Sequence, residues 1–225
     1  MPGRPHRRAE ALALEPPAFT PAEQALVARL RTPRAVQRFL RALPYNWEKQ
    51  GETLRSFRGV VRRRTAHCLE AALAAACILE QHGYPPLLLS FESQDGLDHV
   101  LFLFRERGRW GAVARSRDPG LHGRKPVFRS PRQLAASYRD AYVDLSGRVT
   151  GYAVADLRDL GRYDWRLSKR NVRKVEQWLV DYPHRPLPMP EARYRAALAR
   201  YKRFRARFAD SSVRPGYFDG RQTWM

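Results

Sequence analysis

The sequence predicts a mixed α and β domain, on three observations. A run of small residues from about Ala66 to His82 reads as a buried helix ended by Gly83. Three apolar segments follow it: Leu87 to Glu92, Asp98 to Phe104 and Trp110 to Arg115. The last two are joined by Arg105-Glu106-Arg107-Gly108-Arg109, a hairpin-like connection. The helix opens on Cys68, the second strand opens on His99, and the polar cluster Arg115-Ser116-Arg117-Asp118-Pro119 follows the third. A cysteine on a helix, then a histidine and an acid on successive strands, is how thiol acyl-transfer enzymes assemble nucleophile, base and orienting group.

The elements can be justified in order. Residues 1–18 are rich in Pro, Arg and Ala without periodicity and read as a loose arm. Thr20-Pro21 and Thr32-Pro33 each offer a helix cap followed by proline at the first helical position. The second of these helices carries Val36, Phe39, Leu40 and Leu43 at helical spacing and stops at Pro44. Leu54, Phe57, Val60 and Val61 mark a short amphipathic helix, interrupted by Arg62-Arg63-Arg64 just before the cysteine helix. Pro85-Pro86 separates that helix from the strands. Ser130-Pro131 starts a further helix through about Ala141, and Val149 to Val154 adds a strand.

From about Asp156 the character changes. Ser168 is placed to cap a helix carrying Val172, Val175, Trp178 and Leu179. Pro183 to Pro190 reads as an extended linker. Residues 191–208 form an arginine-rich helix whose Tyr194, Leu198, Tyr201, Phe204 and Phe208 make one apolar stripe, a face for docking on the domain. The expected organisation is an arm over 1–18, a domain over 19–155 and a basic helical extension over 156–225.

At 225 residues the chain is long enough to bury a real core, and 44% hydrophobic content excludes a mainly disordered chain. No stretch approaches the roughly 20 apolar residues that cross a bilayer, and no signal-like apolar segment opens the chain, so a cytoplasmic protein is expected. Cys68 and Cys77 lie on opposite sides of one helix at about 100° per residue, so they cannot pair with each other within it. The formal charge is +20, almost all arginine, since lysine occurs only at 49, 125, 169, 174 and 202. Such a field attracts nucleic acid or acidic surfaces. The arginines nevertheless spread through every segment and form no nucleic-acid motif.

A cysteine at a helix N-terminus sits where unsatisfied N–H groups and the helix dipole favour the thiolate. His99 can take its proton and later protonate the leaving group. A hairpin turning near Arg107 places His99 opposite Arg115 to Ser116, with Asp118 just beyond the strand end. Asp118 is therefore the expected orienter of the imidazole and Ser116 the second choice, since a carboxylate holds the tautomer better than a hydroxyl. Asp98 should point to the opposite sheet face, and Glu70 lies about 200° round the helix from Cys68, poorly aimed. His67, Cys68, Cys77, His82 and His99 supply ligand types, but their spacing is not a metal clip. No cofactor motif is present, so neither metal nor cofactor is expected.

The runs Thr65-Ala66-His67-Cys68-Leu69-Glu70-Ala71-Ala72, Gly83-Tyr84-Pro85-Pro86, Asp98-His99-Val100 and Gly108-Arg109-Trp110-Gly111 resemble the core of the transglutaminase-like superfamily. They look closest to its uncharacterised bacterial members, over roughly residues 33–145. The resemblance implies a papain-like α+β core, with the cysteine helix packed on an antiparallel sheet, and thiol chemistry on amides. Protease, peptide amidase, deamidase and transglutaminase activities all remain open, with a peptide or amide-bearing substrate. Cys68 and His99 match the family's nucleophile and base. The family's Asp shortly after the last strand's tryptophan is Ala114 here, and the nearest acid is Asp118. A scaffold without catalysis, binding nucleic acid or another acidic partner through its arginines, is the competing expectation.

Overall fold

The computed structural model describes residues 17–94, 96, 99–208 and 224. Residues 1–16 of the expected arm, Asp98, and most of the chain after Phe208 lie outside the described residues. Two capped helices open the fold, α1 (Pro21–Arg29) and α2 (Pro33–Ala42). Thr20 and Thr32 accept from the backbone N–H of Glu23 and Ala35, and each helix has proline in its first turn. Helix α3 (Phe57–Arg63) follows, capped by Ser56 and ended by Arg64 in the left-handed region. Helix α4 (Cys68–Glu80) then runs through the middle of the molecule.

A sheet forms on α4 from β1 (Leu87–Ser93), β2 (Val100–Glu106), β3 (Arg109–Val113), β4 (Arg124–Phe128), β5 (Val149–Asp156) and β6 (Arg185–Pro186). The order is β4-β3-β2-β1-β5-β6, and every neighbouring pair is antiparallel. This is an α+β fold. No helix among the described residues is long and apolar enough to cross a membrane.

Strand β2 is a continuous apolar run because both of its faces are covered. Val100, Phe102 and Phe104 face α4, whereas Leu101 and Leu103 face a second core containing Phe91, Leu134 and Tyr138. Helix α4 is buried all round, with Ala71, Ala72, Ala74, Ala75 and Ala76 wholly inaccessible. These small side chains let the helix backbone lie close to the sheet.

Several boundaries differ from the sequence expectation for visible reasons. The hairpin is tighter: Glu106 pairs with Arg109, leaving a two-residue turn with Arg107 and Gly108 at φ of 47° and 75°. Positive φ at both central residues matches the right-handed strand twist. The helix expected through Ala141 divides into α5 (Pro131–Ala136) and α6 (Arg139–Tyr142). Between them the Ser137 hydroxyl donates to the Leu134 carbonyl and accepts from the buried Arg124, whose guanidinium lies 3.8 Å from the Tyr138 ring centroid.

Ser168 does not cap the next helix, α7 (Arg173–Val180), which has no side-chain cap. The Ser168 hydroxyl accepts from Arg170 N–H, and two hydrogen bonds of Leu54, to Asn171 and Val172, hold the approach to α7.

The chain after Asp156 is built into the same interior. Trp165, Leu167, Val172, Val175 and Leu179 join the core around α4, and Leu187 joins the core on the opposite face. The expected linker supplies β6, where Gly151 pairs with Pro186 and Tyr152 with Arg185. Helix α8 (Glu191–Arg207) docks through its first half, with Tyr194, Ala197 and Leu198 packed on Val143 and Met189. Phe208 at the far end of the stripe stays exposed.

Helix α2 is pinned to the end of β3 by Gln37, whose amide donates to the Ala114 carbonyl at 2.8 Å and accepts from Ala114 N–H at 2.9 Å. Gly123 lies under this clip. A Cβ there would fall inside contact distance of Gln37 Oε1 and the Ala112 carbonyl oxygen. Gly123→Ala is expected to cost about 1–3 kcal/mol through overpacking, read as a lower urea midpoint with unchanged slope.

Candidate active site

Cys68 is the first residue of α4 and is partly exposed, whereas Cys77 is buried on the same helix. Both are free thiols. Burial pushes the Cys68 thiol up, but hydrogen bonds from His67 and His99 and the charges of both rings bring it down to about 5. Burial raises Cys77 with no such partners beside it. The N–H groups of the first turn of α4 add to the stabilisation of a thiolate at Cys68.

His99 precedes β2, and its backbone carbonyl accepts from Phe91 N–H at 3.0 Å. The ring lies parallel to Phe91 and edge-on to Tyr138, each with centroids 6.4 Å away. Its Nε2 is 2.8 Å from the Leu121 carbonyl oxygen. A carbonyl can only accept, so Nε2 carries the proton and Nδ1 is left to serve the sulfur.

The orienting group differs from the sequence expectation. The Leu121 carbonyl occupies the place assigned to Asp118 or Ser116. Asp118 Oδ2 meets Arg117 Nε at 3.3 Å, and Ser116 Oγ accepts from Asp118 N–H at 3.0 Å. The Asp118 carbonyl in turn accepts from Leu121 N–H at 3.0 Å. Ser116 and Asp118 thus shape the turn that presents the Leu121 carbonyl. That turn is held from below by Arg124, which donates to the carbonyls of Gly120 at 2.7 Å and His122 at 2.8 Å. Tyr138 Oη also donates to the His122 carbonyl, at 3.1 Å. Burial lowers His122 to about 4, which keeps that second ring neutral near physiological pH. Asp98 is outside the described residues.

Sequence reasoning missed His67 and Glu70. His67 is the residue before α4, and its Nε2 lies 3.0 Å from the Thr53 carbonyl oxygen. Burial alone would lower this imidazole, but its hydrogen bond to Cys68, the charges of Cys68 and Glu70, and the Thr53 carbonyl raise it to about 9. His67 is therefore a standing cation beside the thiolate at neutral pH.

Glu70 points away from Cys68, as its helical angle requires, and into a wholly buried position under the loop before α3. It accepts from Asn46 Nδ2 at 3.0 Å, Thr53 Oγ1 at 2.8 Å, Arg55 N–H at 3.0 Å and His67 N–H at 3.1 Å. The His67 ring is 3.7 Å from the same carboxylate. The signal for this role was the spacing of Glu70, the third residue of the helix, where a carboxylate bonds back to the capping N–H.

Tyr45 completes the wall. It bridges in parallel to Ala66, and the Arg115 guanidinium lies 5.6 Å from its ring centroid. Burial first, then the Cys68 charge, push its hydroxyl up to about 12, so it stays protonated.

Two outcomes follow. Iodoacetamide should label Cys68 with a rate that rises through about pH 5 and is level near neutrality, whereas Cys77 reacts only on unfolding; peptide mass spectrometry separates the two. Glu70→Gln removes a negative charge from beside His67, so the imidazolium loses its proton below pH 9. The same change should cost about 1–3 kcal/mol of stability in urea, because the neutral amide cannot accept all four donors. In comparisons with known proteins, no family model matches the chain and no curated protein is similar to it.

Proposed function

We propose that this protein is a thiol-dependent acyl-transfer or amide-hydrolysing enzyme of the transglutaminase-like kind, with Cys68 as nucleophile and His99 as general base and acid. The observation that carries this reading is the Cys68 thiol at a helix N-terminus, hydrogen-bonded to two imidazoles and lowered to about 5. A buried structural cysteine is moved the other way, as Cys77 is. The cysteine helix packed on an antiparallel sheet that carries His99 is the arrangement the family resemblance implies. A papain-like core and a cytoplasmic, reducing setting belong to the same proposal. The reading requires no cofactor.

In the proposed reaction the Cys68 proton already resides on His99 Nδ1, and the thiolate sulfur attacks a carboxamide or peptide carbonyl carbon. First-turn N–H groups of α4 are available to the oxyanion. Collapse breaks the C–N bond, His99 returns the proton to the departing amine, and a thioester remains on Cys68. Water or a second amine then attacks, with His99 taking its proton, and the thiolate is released beside the protonated ring. His67 stays protonated and holds the negative sulfur between turnovers.

The test is trapping of the acyl-enzyme. An activated aryl ester should release one equivalent of phenol in a burst, leaving a hydroxylamine-labile adduct on the Cys68 peptide. Cys68→Ala should abolish the adduct, and His99→Ala should slow acylation by roughly 10²–10⁴-fold. His67→Asn should instead move the acid limb of the profile from about pH 5 toward that of an ordinary thiol. An adduct distributed over both cysteines, or an unchanged rate in His99→Ala, would rule the proposal out.

A further inference from the structure

Beside the cysteine a polar cleft of about 580 Å³ opens between the Tyr45–Thr65 segment and the 168–171 loop. Its lining carries six cations, Lys49, Arg55, Arg62, Arg63, Lys169 and Arg170, against one carboxylate, Glu48. That carboxylate is already engaged, accepting from Thr53 N–H at 2.7 Å. Arg55 is tied inward to Thr65 Oγ1 at 2.8 Å and faces Glu70 at 3.7 Å. The other five cations are exposed, and none has an ion-pair partner among the described residues. By contrast, Arg193 and Arg200 on α8 both pair with Asp140, and Arg195 pairs with Glu191. What distinguishes the cleft is that these cations converge on one concave surface, whereas Arg203, Arg205 and Arg207, also without ion-pair partners among the described residues, lie along a helix.

The cleft abuts the reactive group. Tyr45 belongs to both, and Thr53, on the cleft wall, gives its carbonyl to His67. We propose that this cleft binds a carboxylate-rich peptide segment and is the substrate-recognition site for the acyl group attacked by Cys68. The inference rests on the thiol-enzyme reading, since the cleft reaches the cysteine through Tyr45 and through the Thr53 carbonyl on His67. Peptide is favoured over nucleic acid on two grounds. A peptide supplies both an acyl carbon for the sulfur and carboxylates that arginine forks bind in bidentate fashion. The cleft's aromatic pair, Tyr45 and Trp47, is packed edge to face at 5.1 Å and 67°, not set out as successive stacking platforms for bases.

The test uses the full chain as Cys68→Ala, so that nothing turns over, and a rhodamine-labelled peptide of alternating Glu and Gln followed by anisotropy. Its Lys/Gln counterpart and a single-stranded oligonucleotide of equal charge are compared with it. The acidic peptide should bind, and Arg63→Glu with Arg170→Glu should weaken it by about tenfold or more. The equally charged pair Arg203→Glu with Arg207→Glu on α8 should leave it within about twofold, if the cleft and not the net field is responsible. Equal loss in both pairs overturns the proposal, as does tighter oligonucleotide binding that the cleft pair abolishes. Alkylation of Cys68 in the otherwise unmodified chain separates the two readings. Fast alkylation without peptide binding removes the cleft alone, whereas slow alkylation with binding intact removes the thiol enzyme and leaves an acidic-peptide site.

Discussion

The site depends on one buried carboxylate. Glu70 has no access to water, and a lone charge there would be strongly unfavourable. Four donors from Asn46, Thr53, Arg55 and His67 surround it, three of them from the loop before α3 and the fourth from the residue that caps α4. Satisfying that charge draws the loop before α3 against α4, fixes the Thr53 carbonyl, and through it fixes the His67 ring. The thiol of Cys68 then lies on the outward side of the same helical turn. Cation and anion are thus stacked in alternation, Glu70 below His67 and the sulfur above. An imidazolium between two negative groups explains why His67 is raised to about 9 despite its burial.

The contrast between the two cysteines isolates what matters. They share a helix, a compartment and a side chain. Cys77 sits among apolar neighbours and is pushed up by desolvation, whereas Cys68 meets two imidazoles at the N-terminal end of the helix and is brought down. Desolvation acts on both. Partners decide the sign.

Much of this was legible in the chain. The threonine–proline caps, the alanine helix, and the strands read from 87, 98, 110 and 149 follow from patterns of one or two turns, where local chemistry decides. The pairing of Cys68 with His99 was legible as an order of elements, because a helix followed by antiparallel strands leaves their ends adjacent. What could not be read was anything fixed by backbone carbonyls. The Leu121 carbonyl that holds His99 has no sequence signature, since every residue carries one. Its placement depends on Arg124, which belongs to no motif and is buried against the Tyr138 ring. His67 was hidden for a different reason: a histidine before a cysteine has no pattern, and its role appears only when Thr53 is brought to it. The break at Ser137 and the uncapped start of α7 likewise reflect long-range partners that override local preference.

Replacing a carboxylate by a carbonyl at the orienting position changes the electrostatics as well as the geometry. A carboxylate fixes the tautomer and also stabilises the imidazolium that forms during proton transfer. A neutral carbonyl supplies the first effect fully and the second weakly. In this site the compensating charge lies on the other side of the sulfur. Glu70 supports His67, and His67 supports the thiolate, so part of the charge that faces the sulfur comes from a second imidazole. The burden on the orienting group is correspondingly lighter: it must hold Nε2–H in place and leave Nδ1 free. The turn from Ser116 to His122, pinned through Arg124, does that with backbone atoms alone.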